Sequence, residues 1–126
     1  MTPREAPPDL QNLRVLVVED EALVAMMIED FLSDAGCVVV GPAATVAEAM
    51  DLLRHNSIDA ATLDVNLGTE EVRPVAEILE AAGTPFILVS GYDRENVFQL
   101  YRRWPLLQKP FTRESLTRTL TRVLAG

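Results

Sequence analysis

Three acids, one hydroxyl and one amine stand where this chain's apolar runs end. Glu19 and Asp20 close Arg-Val-Leu-Val-Val, Asp64 closes Ala-Ala-Thr-Leu, Ser90 closes Phe-Ile-Leu-Val, and Lys109, followed by Pro110, closes Pro-Leu-Leu-Gln. The chemistry that suits this set is phosphoryl transfer beside a divalent cation. An ionised carboxylate needs no general base to attack phosphorus, so Asp64 can form an acyl phosphate directly. Its difficulty is charge: Glu19, Asp20 and Asp64 repel one another and repel an incoming phosphoryl group. Magnesium relieves both problems, and it favours hard oxygen donors, usually one or two carboxylates with water and phosphate. Asp20 and Asp64 fit as ligands, Glu19 can hold a coordinated water, and Asn66 can lend its backbone carbonyl. Lys109 supplies a point charge to a second phosphoryl oxygen and the Ser90 hydroxyl a hydrogen bond to a third.

Those groups can meet only if the elements bring their strand ends together. Val15–Val18 is a continuous apolar run, suited to a strand buried on both faces of a parallel sheet. Leu23, Met27 and Phe31, with Val24, Ile28 and Leu32, make a wide apolar stripe on a helix of about fourteen residues, stopped by Gly36. Met26 and Met27 read as core or near-core positions of that helix. Cys37–Val40 is a second strand ended by Gly41-Pro42. Thr45 reads as an N-cap with Glu48 as its capping-box partner, opening a helix to Arg54. Ala60–Leu63 is the third strand, and Leu67-Gly68-Thr69-Glu70 reads as loop. A helix then starts near Val72 with Pro74 in its first turn and Gly83 after its end. Phe86–Val89 is the fourth strand, Asp93–Arg103 a short helical stripe, and Leu106–Gln108 a short fifth strand. Thr112 caps a last helix carrying Leu116, Leu120, Val123 and Leu124.

Strand–helix alternation repeated five times predicts an α/β protein with a doubly wound, five-stranded parallel sheet, flavodoxin-like (βα)5. Parallel strands point one way, so all five side chains gather at the carboxyl edge, where open α/β sheets bind ligands. Residues 1–12, with three prolines, read as a flexible tail, and residues 13–126 as one domain.

Composition narrows the partners. The 126 residues carry 19 acids against 11 Lys and Arg, a formal charge of -8, which disfavours nucleic acid and anionic membranes. No apolar run approaches the roughly 20 residues of a bilayer span, and the N-terminus lacks the apolar stretch of a signal peptide, so the expected residence is cytoplasmic. Cys37 alone makes no internal disulfide. It reads as a small core hydrophobe, His55 as an exposed polar residue, and Trp104 as packing beneath the fifth strand. Ser/His/Asp catalysis is set aside because the one histidine lies far from any strand end.

Val-Val-Glu-Asp, Leu-Asp-Val-Asn-Leu, Val-Ser-Gly-Tyr and Gln-Lys-Pro-Phe occur in the order of the receiver domain of two-component response regulators, and the resemblance spans residues 13–125. It implies that Asp64 is the phosphoacceptor, Asp20 a direct metal ligand, Glu19 its acidic neighbour, Ser90 the switch hydroxyl and Lys109 the phosphate-binding lysine. It also implies a cis Lys109-Pro110 bond. Phe-Ile-Leu-Val-Ser-Gly-Tyr and Pro-Leu-Leu-Gln-Lys-Pro-Phe resemble the FATGUY subgroup of single-domain receivers, associated with HWE-type kinases. The implied partners are a histidine kinase of that type or a histidine phosphotransfer protein, together with a downstream protein target. Most receivers carry a rotating aromatic three residues before the lysine. Here that position is Leu106, and Tyr92 is the alternative mobile aromatic.

The expected function is that of a stand-alone phospho-receiver, which signals through protein partners or by onward phosphotransfer and acts on no substrate beyond the phosphorylation and dephosphorylation of its own Asp64. Two rivals stay open: a binding module of the same fold with vestigial phosphorylation, and a magnesium-dependent aspartyl phosphohydrolase. The second usually wants an acid where this chain has Asn66. A flavin-binding protein of similar topology would meet Glu19-Asp20-Glu21 where it needs a phosphate cradle.

Overall fold

The computed structural model describes residues 10–91 and 103–126. The chain runs β1 (Arg14–Val18), α1 (Ala22–Asp34), β2 (Val38–Ala43), α2 (Val46–His55), β3 (Ala60–Asp64), two very short strands β4 (Asn66–Leu67) and β5 (Glu70–Glu71), α3 (Arg73–Ala81), β6 (Phe86–Ser90), β7 (Leu106–Gln108) and α4 (Arg113–Ala125). The main sheet has the order β2-β1-β3-β6-β7, and every neighbouring pair is parallel. With the hairpin β4–β5 set aside, this is the expected flavodoxin-like order, whose reversal point lies between β1 and β3.

The central strands are apolar on both faces because both are covered. β3 and β6 are buried along their whole length. On one face Leu16, Val18, Leu63 and Leu88 meet Ala49 of α2 and Val75, Ala76 and Leu79 of α3. On the other, Val15, Val17, Ile87 and Val89 meet Ile28 and Leu32 of α1 and Leu116 and Leu120 of α4. Among the described residues no helix is long and apolar enough to cross a membrane.

Several expectations are refined by tertiary contacts. The expected tail reached residue 12, yet Leu10 is fully buried in the α1/α4 core and its carbonyl accepts the Cys37 thiol at 3.4 Å. Burial lifts that thiol's pKa to about 11, in keeping with an inert core cysteine. β2 does not stop at Gly41-Pro42. It continues to Ala43 through a register shift opposite β1, because Gly41 takes a φ of 108°, and an edge strand tolerates a proline without an N–H. Both Gly41-Pro42 and Lys109-Pro110 are cis. The stretch from Leu67 to Glu70, expected as loop, closes the β4–β5 pair, with Gly68 at φ 62° in its turn.

Helix ends follow their caps. Thr45 Oγ1 accepts the Glu48 N–H at 3.1 Å, but the Glu48 carboxylate returns to the Ala44 N–H at 2.7 Å, one residue before the expected partner. Thr112 and Ser115 form a full capping box on α4. The stripe of α1 is narrower than expected. Ala25, Ile28 and Leu32 are buried, whereas Leu23 is 81% and Met26 57% exposed. At about 100° per residue, Leu23 stands roughly 140° around the helix from Ile28 and faces away from the sheet. His55 is exposed at the end of α2. Trp104 is buried, edge-on to Phe86 at 5.7 Å between ring centres, with its indole N–H donating to Glu80 Oε2 at 3.0 Å. The expected helix over 93–103, Arg103 excepted, and Tyr92 lie outside the described residues.

Candidate functional site

The parallel sheet delivers its strand-end residues to one edge. β1 ends at Val18, so Glu19 and Asp20 follow it directly into the turn before α1. β3 ends on Asp64 itself, and β6 ends on Ser90. Lys109 follows β7 and is held to that edge by its own N–H, which donates to the Ser90 carbonyl at 2.7 Å.

Glu19, Asp20 and Asp64 each offer a carboxylate oxygen within 4.8 Å of the others. Glu19 and Asp64 are buried, while Asp20 is exposed. Lys109 Nζ lies 3.4 Å from Glu19 Oε1, 3.6 Å from Asp64 Oδ2 and 3.1 Å from Glu21 Oε1. Asp64 Oδ1 accepts the Asn66 N–H at 3.0 Å, and Glu19 Oε2 accepts the Glu21 N–H at 3.2 Å. Two side-chain oxygens at this edge, Glu19 Oε1 and Ser90 Oγ, are buried with no hydrogen-bond partner among the described residues. Orphaned acceptors and donors of this kind are costly unless something binds them.

The electrostatics express the same crowding. Burial, then the hydrogen bond with Asp64 and its charge, push the Glu19 carboxyl up to about 8, against the weaker pull of the Glu21 N–H and Lys109. Burial also lifts Asp64, with Asp20 adding to the rise while Glu19, the Asn66 N–H and Lys109 oppose it. For Lys109 burial alone would lower the pKa, and it is outweighed by Asp64, Glu21 and Glu19 together, leaving the ammonium raised. Without a cation, burial and mutual repulsion therefore disfavour the ionisation of Glu19 and Asp64 together.

That chemistry fits a hard divalent cation. Two buried carboxylates, Glu19 and Asp64, and the exposed Asp20 form an all-oxygen donor set of the type magnesium takes.

The family model for the response regulator receiver domain matches residues 15–121. The chain belongs to the response regulator receiver family. It is similar to SdrG from Sphingomonas melonis Fr1, at 43% identity over 90% of this chain and 97% of that one, with a TM-score of 0.80. It is also similar to the anti-anti-sigma factor PhyR from Bartonella quintana, at 28% identity over 89% of this chain and 48% of that one, TM-score 0.78. Among curated proteins, the transcriptional regulatory protein PdtaR of Mycobacterium tuberculosis (strain CDC 1551 / Oshkosh) is 27% identical over 79% of this chain and 50% of its own length. A protein-glutamate methylesterase/protein-glutamine glutaminase of Archaeoglobus fulgidus is 36% identical over 66% of this chain and 24% of its own. The receiver thus spans between a quarter and half of the curated relatives it matches.

Of the groups singled out from sequence, Glu19, Asp20, Asp64 and Lys109 converge in this receiver, and Ser90 stands beside them on β6. Asn66 touches Asp64 through its N–H rather than its side chain, which is exposed. Leu106 is half-buried against the α2/α3 core, in register with Leu88. Sequence reasoning missed the hold of Glu21 on Lys109. The signal was present as a third consecutive acid at the N-cap of α1, but nothing in the spacing says which acid the lysine reaches.

Proposed function

We propose that this receiver is a cytoplasmic relay component that accepts a phosphoryl group from a partner phosphohistidine onto Asp64 and signals through protein partners. The observation that carries the reading is the meeting of Lys109 Nζ, 3.6 Å from Asp64 Oδ2, with an acid trio whose ligand atoms lie within 4.8 Å. Glu19, Asp20, Asp64 and the Asn66 carbonyl would hold magnesium. When bound, that ion neutralises the acids and stabilises the charge of the transferring group.

The chain's own residues supply the rest. A carboxylate oxygen of Asp64 forms the new P–O bond as the P–N bond to the donor imidazole breaks, and the imidazole nitrogen keeps the electron pair. The Asn66 N–H, already on Asp64 Oδ1, orients the carboxylate so that its other oxygen is the nucleophile. Lys109 stabilises one phosphoryl oxygen as a point charge. The Ser90 hydroxyl, without a partner among the described residues, donates to another and draws the end of β6 towards the phosphoryl group. Leu106 cannot supply the polar tip of a rotating tyrosine, so the response passes through Ser90 and the segment after it, where Tyr92 lies. The donor is a histidine kinase, of the HWE type by resemblance, or a phosphotransfer protein. SdrG, to which this chain is similar over nearly all of that chain, adopts a BeF3-activated conformation.

The test is intact-mass measurement after incubation with magnesium and acetyl phosphate. The expected result is one hydroxylamine-labile phosphoryl adduct, absent from Asp64→Asn. Many donor turnovers without an adduct would identify a phosphohydrolase instead, and no reaction at all a vestigial module.

A further inference from the structure

Glu21 has an unusual position among the acids of this edge. It is the N-cap residue of α1, yet its side chain makes no capping hydrogen bond. Its carboxylate turns to Lys109 and accepts from Nζ at 3.1 Å, the shortest contact that the ammonium makes among the described residues. The Glu21 side chain is 63% exposed, while that of Lys109 is 17% exposed. The two longer contacts of the lysine go inward, to Glu19 and Asp64, and the shortest goes outward, towards solvent.

These partners are not equivalent once phosphoryl transfer begins. Glu19 and Asp64 belong to the acid trio, and their charge is taken up within the site. Glu21 is not one of the three, so its charge stays available to the lysine throughout. An equilibrium moves only through interactions that differ between its two states. A hydrogen bond that Lys109 makes at rest and must give up to engage a phosphoryl oxygen favours the resting state.

We propose that Glu21 is a positioning residue that tethers Lys109 at the rim of the site and so restrains both phosphorylation of Asp64 and the lifetime of the product. The proposal rests on the phospho-receiver reading above. Lys109 exchanges its bond to Glu21 Oε1 for one to a phosphoryl oxygen. The acid that follows Glu19-Asp20 thereby sets how readily the lysine leaves its resting place.

A double-mutant cycle separates this tether from a general field effect. Wild type, Glu21→Ala, Lys109→Ala and the double variant are phosphorylated with acetyl phosphate at saturating magnesium, and adduct growth and decay are followed by mass. Glu21→Gln, which keeps the shape without the charge, guards against a folding artefact at the N-cap. Exposed ion pairs are weak, so the expected change for Glu21→Ala is a rate about two- to fivefold faster, with a longer-lived adduct. In the Lys109→Ala background that gain disappears. A gain of the same size in both backgrounds, no gain, or a slower rate overturns the tether. In parallel, the Lys109 ammonium resonance is recorded by NMR in the metal-free protein with and without Glu21→Ala. If wild type forms no Asp64 adduct, the receiver reading fails and this role with it. A resonance that still moves then shows the pair exists and locates the failure in the site reading, whereas one that stays put shows the pair itself is absent.

Discussion

Single side chains at the carboxyl edge carry opposing demands. Glu19 holds its proton to about 8 when folded, against 4.5 for the free side chain. The folded state therefore binds more protons than the unfolded state between those values. Stability from this group is fully present below about 4.5 and is lost as pH rises through about 8. Asp64 is raised too and acts in the same direction. Thermal melts of the metal-free domain should show Tm falling from about pH 5 to about pH 9, and Glu19→Gln should flatten the fall. Magnesium favours the ionised carboxylates, so an excess of it should raise Tm most at the alkaline end of the series. Lys109→Ala should leave a folded domain in which phosphorylation of Asp64 elicits little change at Ser90, as read by amide chemical shifts. An unfolded Lys109→Ala would make the lysine structural instead. Thr62 poses a different question. Its hydroxyl is buried on β3 with no partner among the described residues. Thr62→Val keeps the shape and removes the orphan, so urea unfolding should find the variant equal to wild type or up to about 1 kcal/mol more stable.

At the scale of elements, the caps and the short strands decide how firmly the site is mounted. α4 starts with the reciprocal Thr112–Ser115 box and covers the β6 and β7 side of the sheet through Leu116 and Leu120. Thr112→Ala should cost about 1 kcal/mol in chemical denaturation. β7 is only three residues long, and Lys109 depends on it. Trp104, two residues before that strand, anchors its entry by packing on Phe86 and bonding Glu80 of α3, and Glu80 also pairs with Arg103 at 3.1 Å. Trp104→Ala should cost about 3–5 kcal/mol and weaken amide protection along β7, measured by hydrogen exchange. The elements were largely legible in the sequence, because apolar runs, cap residues and glycines act locally. Thr45, Thr112, Gly36 and Gly83 all mark helix ends as expected. Illegible was anything that depends on a distant partner. The extension of β2 to Ala43 exists because β1 offers it a register, and Leu10 is buried because Cys37 and the α1/α4 core receive it.

Across the whole molecule, one direction of strand travel links the far-apart positions 19, 64, 90 and 109. The same geometry leaves Leu23 and Met26 exposed on α1, just past Glu19-Asp20-Glu21. A stripe of apolar letters in the sequence cannot tell the buried side from the open one when it wraps more than half of the helix. The acidic balance of the chain, -8 in formal charge, bears on partners as well. Titration with duplex DNA at low salt should give no binding, since a net negative charge repels the phosphates.

The amino-acid sequence alone determined that two acids, a third acid, a hydroxyl and a lysine would share one edge, because apolar runs alternating with helical stripes admit only a parallel sheet and a parallel sheet has one carboxyl end. Tertiary structure alone decided how those groups divide among themselves. It set Lys109 closer to Glu21 than to Asp64, turned the Asn66 N–H onto the Asp64 carboxylate, and left the Ser90 hydroxyl buried without a hydrogen-bond partner among the described residues. Strand direction is written in local patterns, whereas the reach of a side chain across a shared edge depends on the ångström-scale placement of segments remote in the chain.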